Sequence, residues 1–319
     1  MNQTLPKVSL ISPCFNGESY LPHFLSSLCA QTYKNVEFIF VNDGSTDKTE
    51  EVFNSYKPKL EENGWTVIYI RQDNAGQAAA INQGLKIFSG DYLICPDSDD
   101  ILYPEHIAEK VAYMEEHPAF GMAYCNVDYV NENDLDDVLY TRSVLGSVRN
   151  KQVFGDIIAD KNVLWEPIGN IMRTSVFLEV NPERRIFEGR GGQNCQLQMP
   201  MVHKHPYGCI AKSLCKYVVR NNSHCRTEAK DFKRRTNDLK EIWINTIQGL
   251  KTADEKEKQK LIKKVERRMK RRLREHFWGR FLPMGKDVKT IRLFNLIPIL
   301  KIKKGKYYLF GIFLLISVR

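Results

Sequence analysis

A chain of 319 residues that is 43% hydrophobic and 27% charged carries enough apolar side chain to bury a full core, as one large domain or two smaller ones, which excludes a disordered protein. The formal net charge is +9, but residues 256–274 alone hold eleven Lys or Arg against two Glu. The remainder is close to neutral, so the charge argues for one basic segment and not for a nucleic-acid-binding surface over the whole molecule. The longest apolar run, Tyr307 to Val318, is shorter than the roughly 20 residues a membrane-spanning helix needs. The eight cysteines, at 14, 29, 95, 125, 195, 209, 215 and 225, form no C-x-x-C pair, which fits reduced thiols in a cytosolic protein better than a disulfide framework or a zinc site. The opening MNQTLPKVSL lacks the charged and apolar regions of a secretory signal, and the N-x-S/T matches at Asn2 and Asn221 then read as accidental.

From residue 8 two periodicities alternate, the pattern of a mostly parallel sheet flanked by helices. VSLISP (8–13) predicts a buried strand, and Leu21, Phe24, Leu25 and Leu28 follow at helical spacing. VEFIFV (36–41) is a second strand; Gly44 then makes a turn, and Ser45, Thr46 or Asp47 can cap a helix. TVIYI (66–70) predicts a third strand, GQAAAINQGLKIF (76–88) a third helix and YLIC (92–95) a fourth strand. In open sheets of this kind ligands bind beyond the carboxyl ends of the strands, where helix N-termini point into the crevice.

The fourth strand runs into Asp97, Asp99 and Asp100, three carboxylates within four positions. Like charges so close raise one another's pKa unless a cation or hydrogen-bond donors lie between them. Such a cluster is either a solvated turn capping the next helix or part of a ligand site. Cys14-Phe15-Asn16-Gly17-Glu18, Asn42-Asp43-Gly44-Ser45 and Asp73-Asn74-Ala75-Gly76 follow the other three strands. Independent solvated turns explain each cluster singly, but not why all four share one edge.

With these clusters the sequence resembles the family 2 glycosyltransferases, which have the GT-A, Rossmann-like fold and move a sugar from a nucleotide donor. The matching stretches are VSLISPCFNGESYL, VEFIFVNDGSTDKTEEV, DNAGQAAAINQGL and GDYLICPDSDDILYPE, and the resemblance covers about residues 6–226. It implies that Pro13, Asn16 and Glu18 line the nucleotide pocket, that Asp43 hydrogen-bonds the uracil or ribose, and that Asn74, Gly76, Asn82 and Gly84 belong to the donor side. It makes Asp97 and Asp99, with Ser98 between them, the D-x-D element near ribose, metal and diphosphate, and Asp99 essential to catalysis. Carboxylates beside an anionic diphosphate call for a hard divalent cation, Mn²⁺ or Mg²⁺, to lie between them and to stabilise charge on the departing nucleotide. His224 matches a position where the family often places a His near the metal, although a lone His after a strand is also a common structural residue.

Two departures stand out. An Arg commonly precedes the family's equivalent of Asn82; here Ile81 stands there, and Arg71 is the candidate to meet the diphosphate charge instead. Family members also usually carry a Glu-Asp pair whose acid deprotonates the acceptor. The corresponding stretch FEGRGGQNCQLQMPM offers Gln193 and Asn194, amides that cannot act as bases but suit acceptor hydroxyls. Glu188, either a turn residue or the catalytic base, is the nearest acid, with Asp128 held in reserve.

The reading divides the chain into a GT-A domain over 1–230 and a basic, helical and apolar extension over 231–319. Leu261, Val265, Met269, Leu273 and Phe277 recur every four residues among Lys and Arg. This predicts an amphipathic helix that either packs on the core or serves a membrane surface. LFNLIPILKIK (293–303) and LFGIFLLISVR (309–319) read as two copies of an apolar and basic unit suited to an anionic membrane surface. The expected function is an inverting, metal-assisted hexosyl- or related transferase in surface-polysaccharide synthesis. It would use a nucleotide sugar, with UDP expected, and a saccharide or lipid-linked acceptor, from the cytoplasm at the inner face of the cell membrane, with no nucleic acid partner. The alternatives are a donor-binding protein with lost or weak catalysis, and a nucleotidyltransferase, which the absence of a Gly-rich basic loop after the first strand disfavours.

Overall fold

A computed structural model describes residues 5–143, 166–189, 191–220 and 231–281, the last five as backbone, together with the backbone of 288–293, 297–303, 306–309 and 312–314. The first half is built of the expected strand–helix units: β1 (Val8–Cys14), α1 (Leu21–Cys29), β2 (Val36–Asp43), α2 (Thr49–Glu62), β3 (Thr66–Gln72), α3 (Gln77–Ile87) and β4 (Tyr92–Ile94). Every residue of β1 and β2 is buried, which is why these strands read as continuous apolar runs: helices cover both faces. Lys48, not Ser45, Thr46 or Asp47, stands at the N-cap of α2, without a side-chain cap bond; Asp47, one residue earlier, accepts from the Thr49 backbone N–H at 3.0 Å and from the Thr49 hydroxyl at 2.5 Å.

The chain continues through β5 (Ile101–Leu102), α4 (His106–Glu116), β6 (Met122–Asn131), β7 (Asp134–Arg142), a 3₁₀ turn (Pro167–Gly169), β8 (Asn170–Arg173), α5 (Thr174–Val180), α6 (Gln193–Lys204), β9 (Tyr207–Val219), α7 (Phe232–Gly249) and α8 (Glu255–Phe281). Among the described residues one sheet runs β3-β2-β1-β4-β8-β6-β9-β5, with β7 on β6. β1 pairs in parallel with β2 on one side and with β4 on the other, so the connection order reverses there and opens a crevice at the carboxyl ends. Beyond β4 the sheet turns mixed, with β8 antiparallel to both β4 and β6.

Packing holds the two halves by different means. Under α1 and α2, Phe38 meets Phe24, Phe53 and Trp65, and Phe40 stacks on Phe53 with ring centroids 4.4 Å apart. Removing such a buried ring costs about 3–5 kcal/mol. α3 lies on β1 at Gly84, where a Cβ would come within 2.5 Å of Ile11. In the other half the fully buried Lys110 ammonium donates to the carbonyls of Ile168 (2.7 Å) and Asn170 (3.0 Å) and to His106 Nε2 (2.9 Å), while His106 Nδ1 donates to the Leu214 carbonyl at 2.8 Å. All three ammonium hydrogens are used, so the charge is tolerated and fastens α4 to the strands beneath it.

Two compact units result, Met1–Val265 and Glu266–Arg319, the cut falling within α8. Leu261, Val265 and Met269 of that helix are buried, whereas Lys260, Lys263, Lys264, Arg267 and Lys270 are exposed. These three residues of the apolar stripe are therefore shielded from solvent, and Leu273 is partly so. After the helix, β10 (Val288–Leu293), β11 (Ile297–Lys303), β12 (Lys306–Leu309) and β13 (Ile312–Leu314) form an antiparallel meander.

Candidate active site

Three loops at the carboxyl edge are tied to one another by side chains. Asn16, with φ of +50°, turns the chain after β1, donates its N–H to Ser45 Oγ (3.0 Å) and accepts the Thr46 N–H (2.9 Å). Glu18 accepts the Lys48 N–H at 3.1 Å. The loops after β1 and β2 are thus fastened together, with Pro13 buried one residue before the end of β1, level with Val41. Asp43, at the end of β2, accepts from Gln72 Nε2 (2.6 Å), the Ala75 N–H (2.9 Å) and the Gly76 N–H (2.9 Å), and Asn74 Nδ2 donates to its carbonyl (3.1 Å). Asp43 therefore fixes the loop before α3. Gly44 makes this possible: its φ is +73° and a Cβ there would lie 2.6 Å from the Asn74 nitrogen. Arg71 is engaged with Glu50 and donates to the Ser45 carbonyl at 3.2 Å, at the rim.

Beyond β4 the carboxylate oxygens of Asp97, Asp99 and Asp100 lie within 4.8 Å of one another. Burial, and then the charge of Asp99, pushes Asp97 up to about 7, against the pull of Gln77 and Arg220. Burial pushes Asp100 well above the usual carboxylate range, helped by Asp99 and Asp97. Asp100 Oδ1 accepts the Val218 N–H at 3.1 Å, whereas its Oδ2 is buried without a hydrogen-bond partner among the described residues. Arg220, just past β9, pairs with Asp99 and lies over the Tyr20 ring, 4.1 Å from its centroid. Three convergent carboxylates, an orphaned buried oxygen and a set of oxygen-only ligands fit Mn²⁺ or Mg²⁺. A second cluster, His106, Cys125 and Cys215, does not: both ring nitrogens of His106 are already engaged, by the Leu214 carbonyl and the Lys110 ammonium.

The acceptor-side loop reaches the same place. Asn82, buried on α3, accepts the Ile186 N–H (2.8 Å) and donates to the Ile186 carbonyl (2.9 Å) and to Glu188 Oε1 (3.1 Å). Asn82 thus holds that loop, and Ile81 beside it is core. Glu188 is half exposed and also meets Arg185 at 3.2 Å. Gln193 opens α6 and donates to Gln77 Oε1; Gln77 in turn donates to Asp97 Oδ1 at 2.5 Å. Asn194 follows it, partly buried. The sequence reading missed Gln77 and Arg220; Gln77, the first residue of α3 in the quoted motif, was within reach, whereas Arg220 carries no local signal. Asp128 accepts from Tyr103 (3.0 Å), Thr141 (2.6 Å) and Ser213 (2.7 Å) and is a structural carboxylate of β6. Ser98 is buried between the two aspartates. His224 and Asn221 lie outside the described residues.

The family model for glycosyl transferase family 2 matches residues 9–176, more than half of the chain. The chain belongs to glycosyl transferase family 2. It is 34% identical over 160 residues to the glycosyltransferase GlyA of Streptococcus pneumoniae, covering 49% of this chain and 21% of that protein. It is 30% identical over 184 residues to an uncharacterized glycosyltransferase of Haemophilus influenzae, covering 56% and 54%. The match spans only 21%, 39% and 38% of the length of three of these curated relatives. The fold is shared with S. aureus TarS residues 1–349 in complex with UDP-GlcNAc, at a TM-score of 0.61 and 19% identity over 88% of this chain and 76% of that one. It is also shared with the mannosyltransferase PcManGT from Pyrobaculum calidifontis in complex with GDP-Man and Mn²⁺, at 0.55 and 14%, over 89% and 82%. This family 2 chain thus has the GT-A fold, and its acidic D-x-D cluster stands at the edge where that fold binds ligands. No helix among the described residues is long and apolar enough to cross a membrane.

Proposed function

We propose that this protein transfers a hexose or related sugar from a nucleotide donor, UDP-linked, to a saccharide or lipid-linked acceptor, with inversion, in building a surface polysaccharide. The observation that carries the reading is the amide relay from Gln193 through Gln77 to Asp97, which brings the acceptor-side loop to the carboxylates. In the reaction the acceptor oxygen bonds to the anomeric carbon, the bond to the diphosphate oxygen breaks, and the acceptor proton passes to a base. Glu188 is that base in this reading, held by Asn82 and Arg185, and Gln193 and Asn194 orient acceptor hydroxyls. Asp97, Asp99 and Asp100 would hold Mn²⁺ or Mg²⁺, which when bound supplies positive charge against the departing diphosphate. Arg220, now on Asp99, is a better placed cation for the same diphosphate than Arg71, which Glu50 occupies. Pro13, Asn16, Glu18, Asn74 and Gly76 frame the nucleoside end, and the exposed basic face of α8 with the apolar strands after it suits an anionic membrane surface.

The relatives support the donor class: TarS is in complex with UDP-GlcNAc and PcManGT with GDP-Man and Mn²⁺. A second reading, a donor-binding protein without chemistry, is favoured by the amides at Gln193 and Asn194. A thermal-shift panel of nucleotide sugars with and without Mn²⁺ tests the donor, since a ligand that binds only the folded state raises apparent stability. Release of free nucleotide in the presence of acceptor separates enzyme from binder.

A further inference from the structure

A cavity of about 410 Å³ opens beside the acceptor-side loop, lined by Phe187, Gly189, Arg234, Asp238, Glu241 and Ile242. Its two walls come from separate parts of the chain. The loop residues Phe187 and Gly189 bracket Glu188. The others stand at i, i+4, i+7 and i+8 on α7, one face of that helix. The walls touch at the back, where a Cβ on Gly189 would lie 3.1 Å from Ile242.

The chemistry of the lining is specific. Phe187 is 41% exposed and Ile242 is buried, so an aromatic ring faces out over an apolar floor. Asp238 is half-buried, Glu241 is exposed, and neither side chain has a hydrogen-bond or ion partner among the described residues. Arg234 has Asp231 at 3.9 Å. Among the described lining residues two carboxylates stand against one guanidinium, a balance that disfavours phosphate or carboxylate ligands. Carboxylates that only accept suit the paired hydroxyls of a sugar ring, and an aromatic face suits its C–H side. Beyond the loop, at the start of α6, the buried Gln193 keeps its Oε1 without a hydrogen-bond partner among the described residues, another acceptor suited to a hydroxyl.

We propose that this cavity is the acceptor subsite and takes a neutral saccharide ring, held between Phe187 and the carboxylates of Asp238 and Glu241. The inference rests on the transferase reading and deepens it: the sugar unit next to the reacting hydroxyl is uncharged, and α7 selects it.

Saturation-transfer NMR on the full chain tests this with methyl glucoside, methyl galactoside and methyl mannoside as neutral probes and with methyl glucuronide and glucose 6-phosphate as anionic ones. At least one neutral probe should bind, and its anionic counterpart should bind about tenfold more weakly or worse. In the D238N/E241Q double variant, neutral affinity should fall about tenfold or more, as expected for losing two charge-assisted hydrogen bonds, and the bias against anions should narrow. Phe187→Ala should weaken the neutral probe as well, and each variant should keep the wild-type Tm within a few degrees. Preference for an anionic probe, binding of none of the probes, or neutral binding unaltered in the double variant overturns the proposal. A parallel titration of the wild-type protein with UDP separates the two readings. UDP binding without saccharide binding removes the subsite alone; saccharide binding without UDP binding removes the donor reading alone.

Discussion

Glu188 is where the chemistry is most exposed to test. A base that takes the acceptor proton contributes typically ~10²- to 10⁴-fold, and this half-exposed carboxylate is anchored by Asn82. Glu188→Gln keeps the shape and removes the basicity, so kcat should fall within that range while Asn194→Ala mainly raises the acceptor KM. Wild-type kcat in Glu188→Gln would move the base elsewhere. Glu37 shows the opposite use of a carboxylate. It is buried in β2, and although burial raises its pKa, the bonds from Ser9, Ser89 and Lys7 outweigh that and hold it below 4.5. A folded pKa below the unfolded value gives stability that is complete above 4.5 and is lost as pH falls through the folded value. Glu37→Gln should therefore cost about 1–3 kcal/mol in urea unfolding at neutral pH. The gap to wild type should narrow as pH falls through the folded value; a gap that stays constant down into acid contradicts the assignment.

At the scale of elements, α3 and α6 meet the carboxylates through their first residues. Gln77 accepts from Gln193 and donates to Asp97, so Gln77→Ala should misplace the acceptor-side loop and lower kcat about tenfold to a hundredfold. Because Gln77 is exposed, Tm should barely move. A double-mutant cycle with Gln193→Ala should be non-additive, and simple additivity would show that the relay is idle. The three strand–helix units and the fourth strand were legible in the sequence because strands covered on both faces are continuous apolar runs and their loops carry Gly, Asn and Asp for turns. The carboxylate cluster was legible for the same reason, as the break at the end of YLIC. What was not legible depends on distance along the chain. Arg220 reaches Asp99 across 121 residues, and the pairing of β9 with β5 and β6 has no local period to announce it. Arg71, expected to face the diphosphate, pairs with Glu50, a choice fixed by the packing of α2 beside β3.

At the scale of the molecule, Leu261, Val265 and Met269 of the α8 stripe are buried, so the membrane reading rests on the basic face of that helix and on the residues beyond Phe281. The full chain should sediment with vesicles containing anionic lipid, and high salt should weaken this only in part, since apolar insertion is not screened. Removal of residues 282–319 should abolish the salt-resistant fraction; no sedimentation of the full chain ends the membrane reading. The central claim, that the carboxylates after β4 and the loops tied by Asp43 and Asn16 make a metal-assisted nucleotide-sugar site, is tested most directly by calorimetric titration of UDP into wild type and Asp99→Ala, each with and without Mn²⁺. The account predicts UDP binding by wild type that strengthens with Mn²⁺, and loss of that metal dependence in a folded Asp99→Ala protein. UDP affinity that is indifferent to Mn²⁺ in wild type, or equally metal-dependent in Asp99→Ala, would contradict it.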